Sequence, residues 1–393
     1  MILQKTKSML LVISIVAGIC IAGCGSSAGQ DTAASVEPES TVITEEESDA
    51  DTTLEEITTE EITSEEITSE EETSEEPTET SQPTQAPTLS TTDHIGVWAA
   101  YWDMDTVTTE TVNAADKIST ICHFAAYFDK NNVPFIPEET TAFFATQKSN
   151  GALAGKESYL TFVNDKLLDQ GSSLKDTQLL YALFDNPEKA RAHATQILDM
   201  TQNGGYDGIE IDYEAIKKDI TLWNHFIVFV NELMQQANAR GIKVRVLLEP
   251  NVPIEQLSFP NGPEYVMMCY NLYGYGTEPG PKANAQFLNE MVDKMEKLPG
   301  TINFALATGG YDFGADGSVA QLRKADAYAI QNANGATLNR DPSSQAVYFD
   351  YVDGNGMSHQ VWFADDNTLA FWMQTIRDRG HNRFTIWRLG GNI

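Results

Sequence analysis

The sequence predicts a (β/α)8 barrel of the TIM type, carried at the C-terminal end of a chain whose first part does not read as globular. Three observations lead there. Of the 393 residues, the first 92 offer no core-forming pattern, so the length holds one domain rather than two or three. From His94 onward, short apolar runs alternate with amphipathic stretches of helical spacing, and eight such runs are the number that closes a parallel barrel. One of the runs, residues 208–213, carries acids at alternate positions.

The N-terminal residues read as an export signal. Lys5 and Lys7 precede an apolar run, residues 9–19, that is too short for a comfortable membrane span. The run ends in Ile21-Ala22-Gly23-Cys24, which resembles the lipobox of bacterial lipoproteins. The resemblance implies a signal over residues 1–23 and a diacylated Cys24 as the mature N-terminus. The protein is then expected outside the cytoplasm, held on the cell membrane by acyl chains rather than by a span. An ordinary signal peptide with an incidental cysteine is the alternative.

Residues 24–92 read as a disordered acidic linker. From Asp31 to Thr92 the chain is dominated by Glu, Thr, Ser and Pro, with the near-repeat Glu55-Glu56-Ile57-Thr58-Thr59, Glu60-Glu61-Ile62-Thr63-Ser64, and no basic or aromatic residue. Such a stretch cannot bury enough apolar surface to offset chain entropy, and its charge extends it. A period of five fits neither a helix nor a strand. A flexible chain of this length spans about 45–50 Å root-mean-square, enough for a tether.

The linker accounts for much of the formal charge of −32. The remaining segment, residues 93–393, is moderately acidic and shows no basic patch, which argues against a nucleic-acid partner. Its six-histidine chain has no metal-ligand spacing, so no metal and no cofactor are expected. Cys122 and Cys269 each sit in an apolar run and read as buried, inert thiols. A monomer is expected.

The strand candidates are residues 96–101, 120–127, 178–184, 208–213, 243–248, 265–270, 302–307 and 384–388. Between them, Asn186-Pro187-Glu188 gives an N-cap, an N1 proline and a first-turn acid for a helix that runs to Gly204-Gly205. Leu222, Phe226, Val230, Leu233 and Ala237 form the stripe of the next helix, which stops at Gly241. The stretch 314–363 is longer than one crossover requires. A helical part (319–332) and two hairpin-like runs (346–352 and 359–363) around Asp353-Gly354-Asn355-Gly356 predict a small α+β insertion between strands 7 and 8.

The informative run is Asp207-Gly208-Ile209-Glu210-Ile211-Asp212-Tyr213-Glu214. On a strand Glu210, Asp212 and Glu214 share one face and Ile209, Ile211 and Tyr213 the other. The apolar face must meet the helices, so the carboxylates point into the barrel, where burial is costly unless protons or hydrogen bonds are shared. Glu214 falls at the C-terminal end of the strand, where barrel enzymes place their chemistry. The bland reading is a solvated edge strand with its acids on the wet face.

This run resembles the Asp-Gly-x-Asp-x-Asp-x-Glu signature of glycoside hydrolase family 18, the chitinase-like family, and the resemblance extends over residues 94–393. Met268-Cys269-Tyr270-Asn271 resembles the family's Met-x-Tyr-Asp, Gly280-Pro281 the Gly-Pro that often follows, and Trp387 its strand-8 tryptophan. The tail is most similar to the branch containing spore-germination and cortex-degrading enzymes. The resemblance implies retaining, substrate-assisted hydrolysis of β-linked N-acetylglucosamine-containing glycans, whether chitin-like oligomers, peptidoglycan or the N-glycan core. Glu214 would be the acid, Asp212 the orienter of the substrate's acetamido group, and Tyr270 a donor to its oxygen. Glu210 and Asp207 would support the row, and Trp387, Asn271, Tyr101 and Met268 would line the sugar.

Glu210 stands where the family has Asp or Asn, and its extra methylene changes how it would share a proton with Asp212. Asn271 replaces a frequent Asp. The strand-3 Ser-x-Gly-Gly pattern is missing, with Tyr181–Asn186 in its place. The alternative to an enzyme is a carbohydrate-binding surface lipoprotein on a silent barrel. Such members typically lose the glutamate that Glu214 supplies here.

Overall fold

In the computed structural model, which describes residues 93–114 and 116–390, eight parallel strands close into a barrel. They are β1 (His94–Ala100), β2 (Ile118–Asp129), β3 (Glu157–Leu167), β4 (Gly208–Asp212), β5 (Lys243–Leu248), β6 (Glu264–Met268), β7 (Thr301–Ala307) and β8 (Arg383–Trp387). Each pairs with the next, and β8 returns to β1 with Ile386 opposite Val97. The export signal, Cys24 and the acidic linker lie outside the described residues.

Seven of the eight expected strands form, and the eighth is a correction. Residues 178–184, expected as strand 3, belong to the helix Thr177–Phe184. Leu179, Leu180, Leu183 and Phe184 are buried, a spacing that makes one helical face, and the Asp176 side chain caps the helix by accepting from Leu179 N–H. The run has no β-branched residue. The real third strand, Glu157–Leu167, carries Tyr159, Thr161, Phe162 and Val163, the aromatic and β-branched content that suits a pleated sheet.

The capping signals act as read. Asn186 accepts from Lys189 N–H, Pro187 opens the helix Pro187–Gly204, and Gly205 closes it at φ 77°. The following helix, Ile220–Arg240, ends at Gly241 with φ 70°. Left-handed backbone at both C-caps is the conformation that glycine adopts without a side-chain clash. Cys122 and Cys269 are free and buried.

The insertion between β7 and β8 is a five-stranded antiparallel sheet in the order Val319–Leu322, Gly309–Gly314, Ser358–Ala364, Val347–Val352, Asn339–Arg340. Val347, Phe349, Val361 and Phe363 on one face pack on Ala327 of the helix Lys324–Asn334. Residues 319–322 are therefore strand rather than the first turn of that helix. The chain turns into the sheet at Gly309, earlier than expected. A side chain at Gly310 would run into the Trp362 carbonyl.

Ile209, Ile211 and Tyr213 lie in the apolar layer between strands and helices, while Glu210 and Asp212 are buried on the barrel side. The interior thus holds an apolar cluster of Trp98, Cys122, Leu247, Val266, Met268 and Ala305 above an ionic one centred on Arg245. β1 starts at the base of the barrel, where His94 N–H donates to Asn382 O and Arg377 pairs with Asp93 at 2.5 Å. The last described residue, Gly390, lies past the C-terminal end of β8 and donates to Glu110 Oε2 at 2.7 Å.

Candidate active site

The carboxylate row of β4 climbs from the barrel's core to its mouth, and each member has a different environment. Glu210 is the deepest and is fully buried. Trp98 Nε1 donates to its Oε1 at 2.6 Å and Thr161 Oγ1 at 2.7 Å. Arg245 Nε donates to its Oε2 at 2.9 Å, with Cys122 Sγ at 3.4 Å. Arg245 in turn reaches Glu264 at 2.9 Å and Thr385 at 2.8 Å. The extra methylene of Glu210 thus ends in an ion pair with Arg245, not in a hydrogen bond to Asp212.

Asp212 is the contrasting case. Burial, reinforced by the charges of Glu214 and Glu210, holds its carboxyl well above the usual range. Its Oδ1 is buried and has no hydrogen-bond partner among the described residues. An unpaired buried carboxyl oxygen is costly, and it is ready to pair with a polar group entering from the mouth.

Glu214 follows two residues past the described end of β4, with its side chain 16% exposed. Its main chain is clamped on both sides by Asn164 of β3: Glu214 N–H donates to Asn164 Oδ1 at 2.9 Å, and Asn164 Nδ2 donates to Glu214 O at 3.1 Å. The next residue, Ala215, takes φ 64° and donates its N–H to Glu249 Oε2 at 2.8 Å. Lys175 Nζ lies 2.6 Å from Glu214 Oε2. Burial raises the Glu214 carboxyl, Lys175 pulls it back, and Glu249 and Asp165 push it up again, leaving it above its ordinary value.

Tyr270 lies beyond β6 at the same mouth. Burial, with the charges of Asp212 and Glu214, drives its phenol well above the ordinary range, so the hydroxyl stays a donor. Trp387 meets Trp98 edge-on at 5.7 Å and Phe124 at 5.1 Å. Met268 is buried beneath it in the interior cluster. Tyr101, just past β1, packs on Trp102 at 5.1 Å and bonds to Tyr127. Asn271 is exposed and outside this packed group.

Asp207 does not join the row. It precedes β4 at the opposite end of the barrel, where its Oδ2 accepts from Ser158 N–H at 2.9 Å and Ser158 Oγ at 2.8 Å. Seven residues at about 3.3 Å each put it roughly 20 Å from Glu214. Its odd position gives it the wrong parity as well, so it fastens β4 to β3. Asn164, Lys175 and Glu249 are site residues that sequence reasoning passed over. Glu249 stands just past the C-terminal end of β5, the position that singled out Glu214, and Asn164 lies in the C-terminal half of β3.

A closed eight-stranded barrel with an inward acid row ending at its mouth is the architecture that the chain shares with solved chitinases. The chain resembles glycoside hydrolase family 18 and has distant relatives among cortex-lytic enzymes. No family model matches it. It is 23% identical over 239 residues to a putative sporulation-specific glycosylase, YdhD, of Bacillus subtilis, covering 54% of each chain. It is 22% identical over 231 residues to the cortical fragment-lytic enzyme of Bacillus subtilis, covering 53% of this chain and 52% of that one. The chain thus spans about half the length of these two relatives. Among solved structures, a chitinase from Chromobacterium violaceum superposes with a TM-score of 0.65 at 17% identity, over 77% of this chain and 95% of that one. A class V chitinase variant from Nicotiana tobaccum in complex with NAG4 gives 0.59 at 12% identity, over 77% and 95%.

Proposed function

We propose that the barrel hydrolyses β-linked N-acetylglucosamine-containing glycans with retention of configuration, using the substrate's own acetamido group as nucleophile. The observation that carries this reading is Asp212, whose unpartnered buried oxygen lies in the row between Glu210 and the acid Glu214. That oxygen is suited to hold an acetamido N–H and aim the acetamido oxygen at C1. Glu214 protonates the leaving oxygen as the C1–O bond breaks and the acetamido oxygen closes an oxazolinium ring. Water then opens the ring, with Glu214 taking its proton. The Tyr270 hydroxyl donates to the acetamido oxygen, and Trp387 supplies an apolar floor beneath the ring.

The test pairs substrates with and without the 2-acetamido group and follows the first-formed anomer by proton NMR. N-acetylated oligomers should be cleaved to a β product, and the free-amine and glucose analogues should be inert even when they bind. An initial α product overturns the mechanism. An oxazoline-mimicking thiazoline should inhibit competitively, since it resembles the cyclic intermediate.

One observation favours the alternative of a binding protein without turnover. Lys175 on Glu214 opposes the protonation that an acid catalyst needs.

The same proposal places the enzyme on a membrane through a lipid on Cys24, supported by the lipobox-like tetrad. Cys24→Ala should abolish acyl labelling and release the protein from the membrane fraction. Unchanged labelling rules the anchor out.

A further inference from the structure

Lys175 stands at a place where a general acid has most to lose from a cation, and its backbone is pinned there. It takes φ 51°, a left-handed conformation that is strained for a residue with a Cβ. A glycine would make the same turn more readily; lysine brings an ammonium 2.6 Å from Glu214. The turn is pinned on both sides: Lys175 N–H donates to Asp165 Oδ1 at 2.7 Å, and Asp176 N–H to Asn164 O at 2.9 Å. Asn164 is the residue that also clamps Glu214, so acid and cation are registered to one anchor. The Lys175 side chain is 49% exposed.

A second cation lies beside the same mouth. Lys282 is 4% exposed, and its Nζ rests 4.7 Å from the centre of the Tyr311 ring. It has no ion pair among the described residues, and burial with the nearby Arg388 lowers its ammonium to about 8. Tyr311 feels the charge of Lys175, and Tyr270 that of Tyr311, which puts these groups in one neighbourhood. A neutral aminosugar polymer offers these cations only neutral acceptors. A carboxylate offers a charged one, at the strength of a charge-assisted hydrogen bond.

We infer that Lys175 reads a carboxylate on the substrate, and that this carboxylate takes Lys175 away from Glu214 and so lets the acid protonate. The inference rests on the hydrolytic reading above and narrows it to glycans that carry carboxylates on their aminosugars. The charge balance closes. Lys175 keeps its proton throughout and exchanges one counter-ion for another. Glu214 takes one proton from solvent on substrate binding and later delivers it to the glycosidic oxygen. The groups around Glu214 already favour the neutral acid once the ammonium is gone: Glu249, Asp165 and Asp212 are acidic, Tyr270 is a neutral donor, and the site is buried. Lys175 is thus a specificity-determining residue that arms the acid preferentially for an anionic substrate.

The experiment compares peptide-free peptidoglycan fragments bearing free lactyl carboxylates with the same fragments amidated at that carboxyl. Wild type should show a kcat/KM about tenfold or more higher on the free acid. Lys175→Met should bring the two within about twofold, and Lys175→Arg should keep the preference. On the amidated fragment, Lys175→Met should also carry the alkaline limb of kcat/KM to higher pH, because loss of the ammonium raises the Glu214 carboxyl and the protonated form persists further. Equal wild-type rates on both fragments, or a preference that survives Lys175→Met, overturns the inference while leaving hydrolysis intact. If neither fragment is turned over, the hydrolytic reading has failed. The arming of Glu214 then fails with it, and calorimetric binding to the wild type decides whether Lys175 reads the carboxylate: about tenfold tighter binding of the free acid, lost in Lys175→Met, upholds that part and equal affinity overturns it.

Discussion

Glu214→Gln should lower kcat by about 10²- to 10⁴-fold on a natural glycan while leaving KM and the folded state close to wild type. Glutamine keeps the size of the side chain and removes only the transferable proton. The main chain at this position is held by Asn164 rather than by the carboxylate, so the variant side chain should remain where the acid stood. Loss in kcat with KM kept marks an interaction made in the transition state. A variant that retains more than a tenth of the wild-type rate would assign the acid's role elsewhere, and Glu249, beside Ala215, would be the first to examine.

The largest stability effect is expected at Arg245→Met. Arg245 is 1% exposed and binds Glu210, Glu264 and Thr385 at once. Removing one partner of a buried ion pair costs about 3–5 kcal/mol, because the carboxylates left behind are neither solvated nor paired. Glu264 keeps Arg383 at 2.7 Å, so most of the loss should fall on Glu210. The urea midpoint should drop at constant m-value. In the double variant Glu210→Gln, Arg245→Met, part of the loss should return, because the stranded charge is gone. Strict additivity of the two single changes would show that the pair is not coupled.

The pair also explains why the site was only partly legible in the sequence. Alternation along β4 told which side Glu210, Asp212 and Glu214 would take, because a strand has one period and its apolar face had one place to go. Helix ends were legible for a similar reason: Asn186, Pro187, Gly205 and Gly241 act through their own backbone. What a buried acid pairs with is a different matter. Arg245 is distant in sequence from Glu210 and meets it only because β4 and β5 are neighbours in a closed barrel. The misplaced third strand had a cost of its own. With residues 178–184 standing in for it, Asn164 and Lys175 fell in a segment with no assigned role, and the clamp on the acid went unseen. The segment now placed as β3 reads Leu160-Thr161-Phe162-Val163-Asn164, so the Ser-x-Gly-Gly pattern is missing there too. Asp207 was the opposite error, a motif residue given a role by proximity in sequence although its parity and height fasten it to Ser158.

The two ends of the domain leave from opposite poles. His94 enters at the base, tied to Asn382, and Gly390 ends at the mouth, tied to Glu110. A rigid attachment made directly at residue 93 would therefore start from the pole away from Glu214. The same attachment placed after residue 390 would stand beside the opening. For display on a bead, an electrode or another protein, polarity of the fusion decides whether a polymer can reach the acid or only short, freely diffusing pieces can.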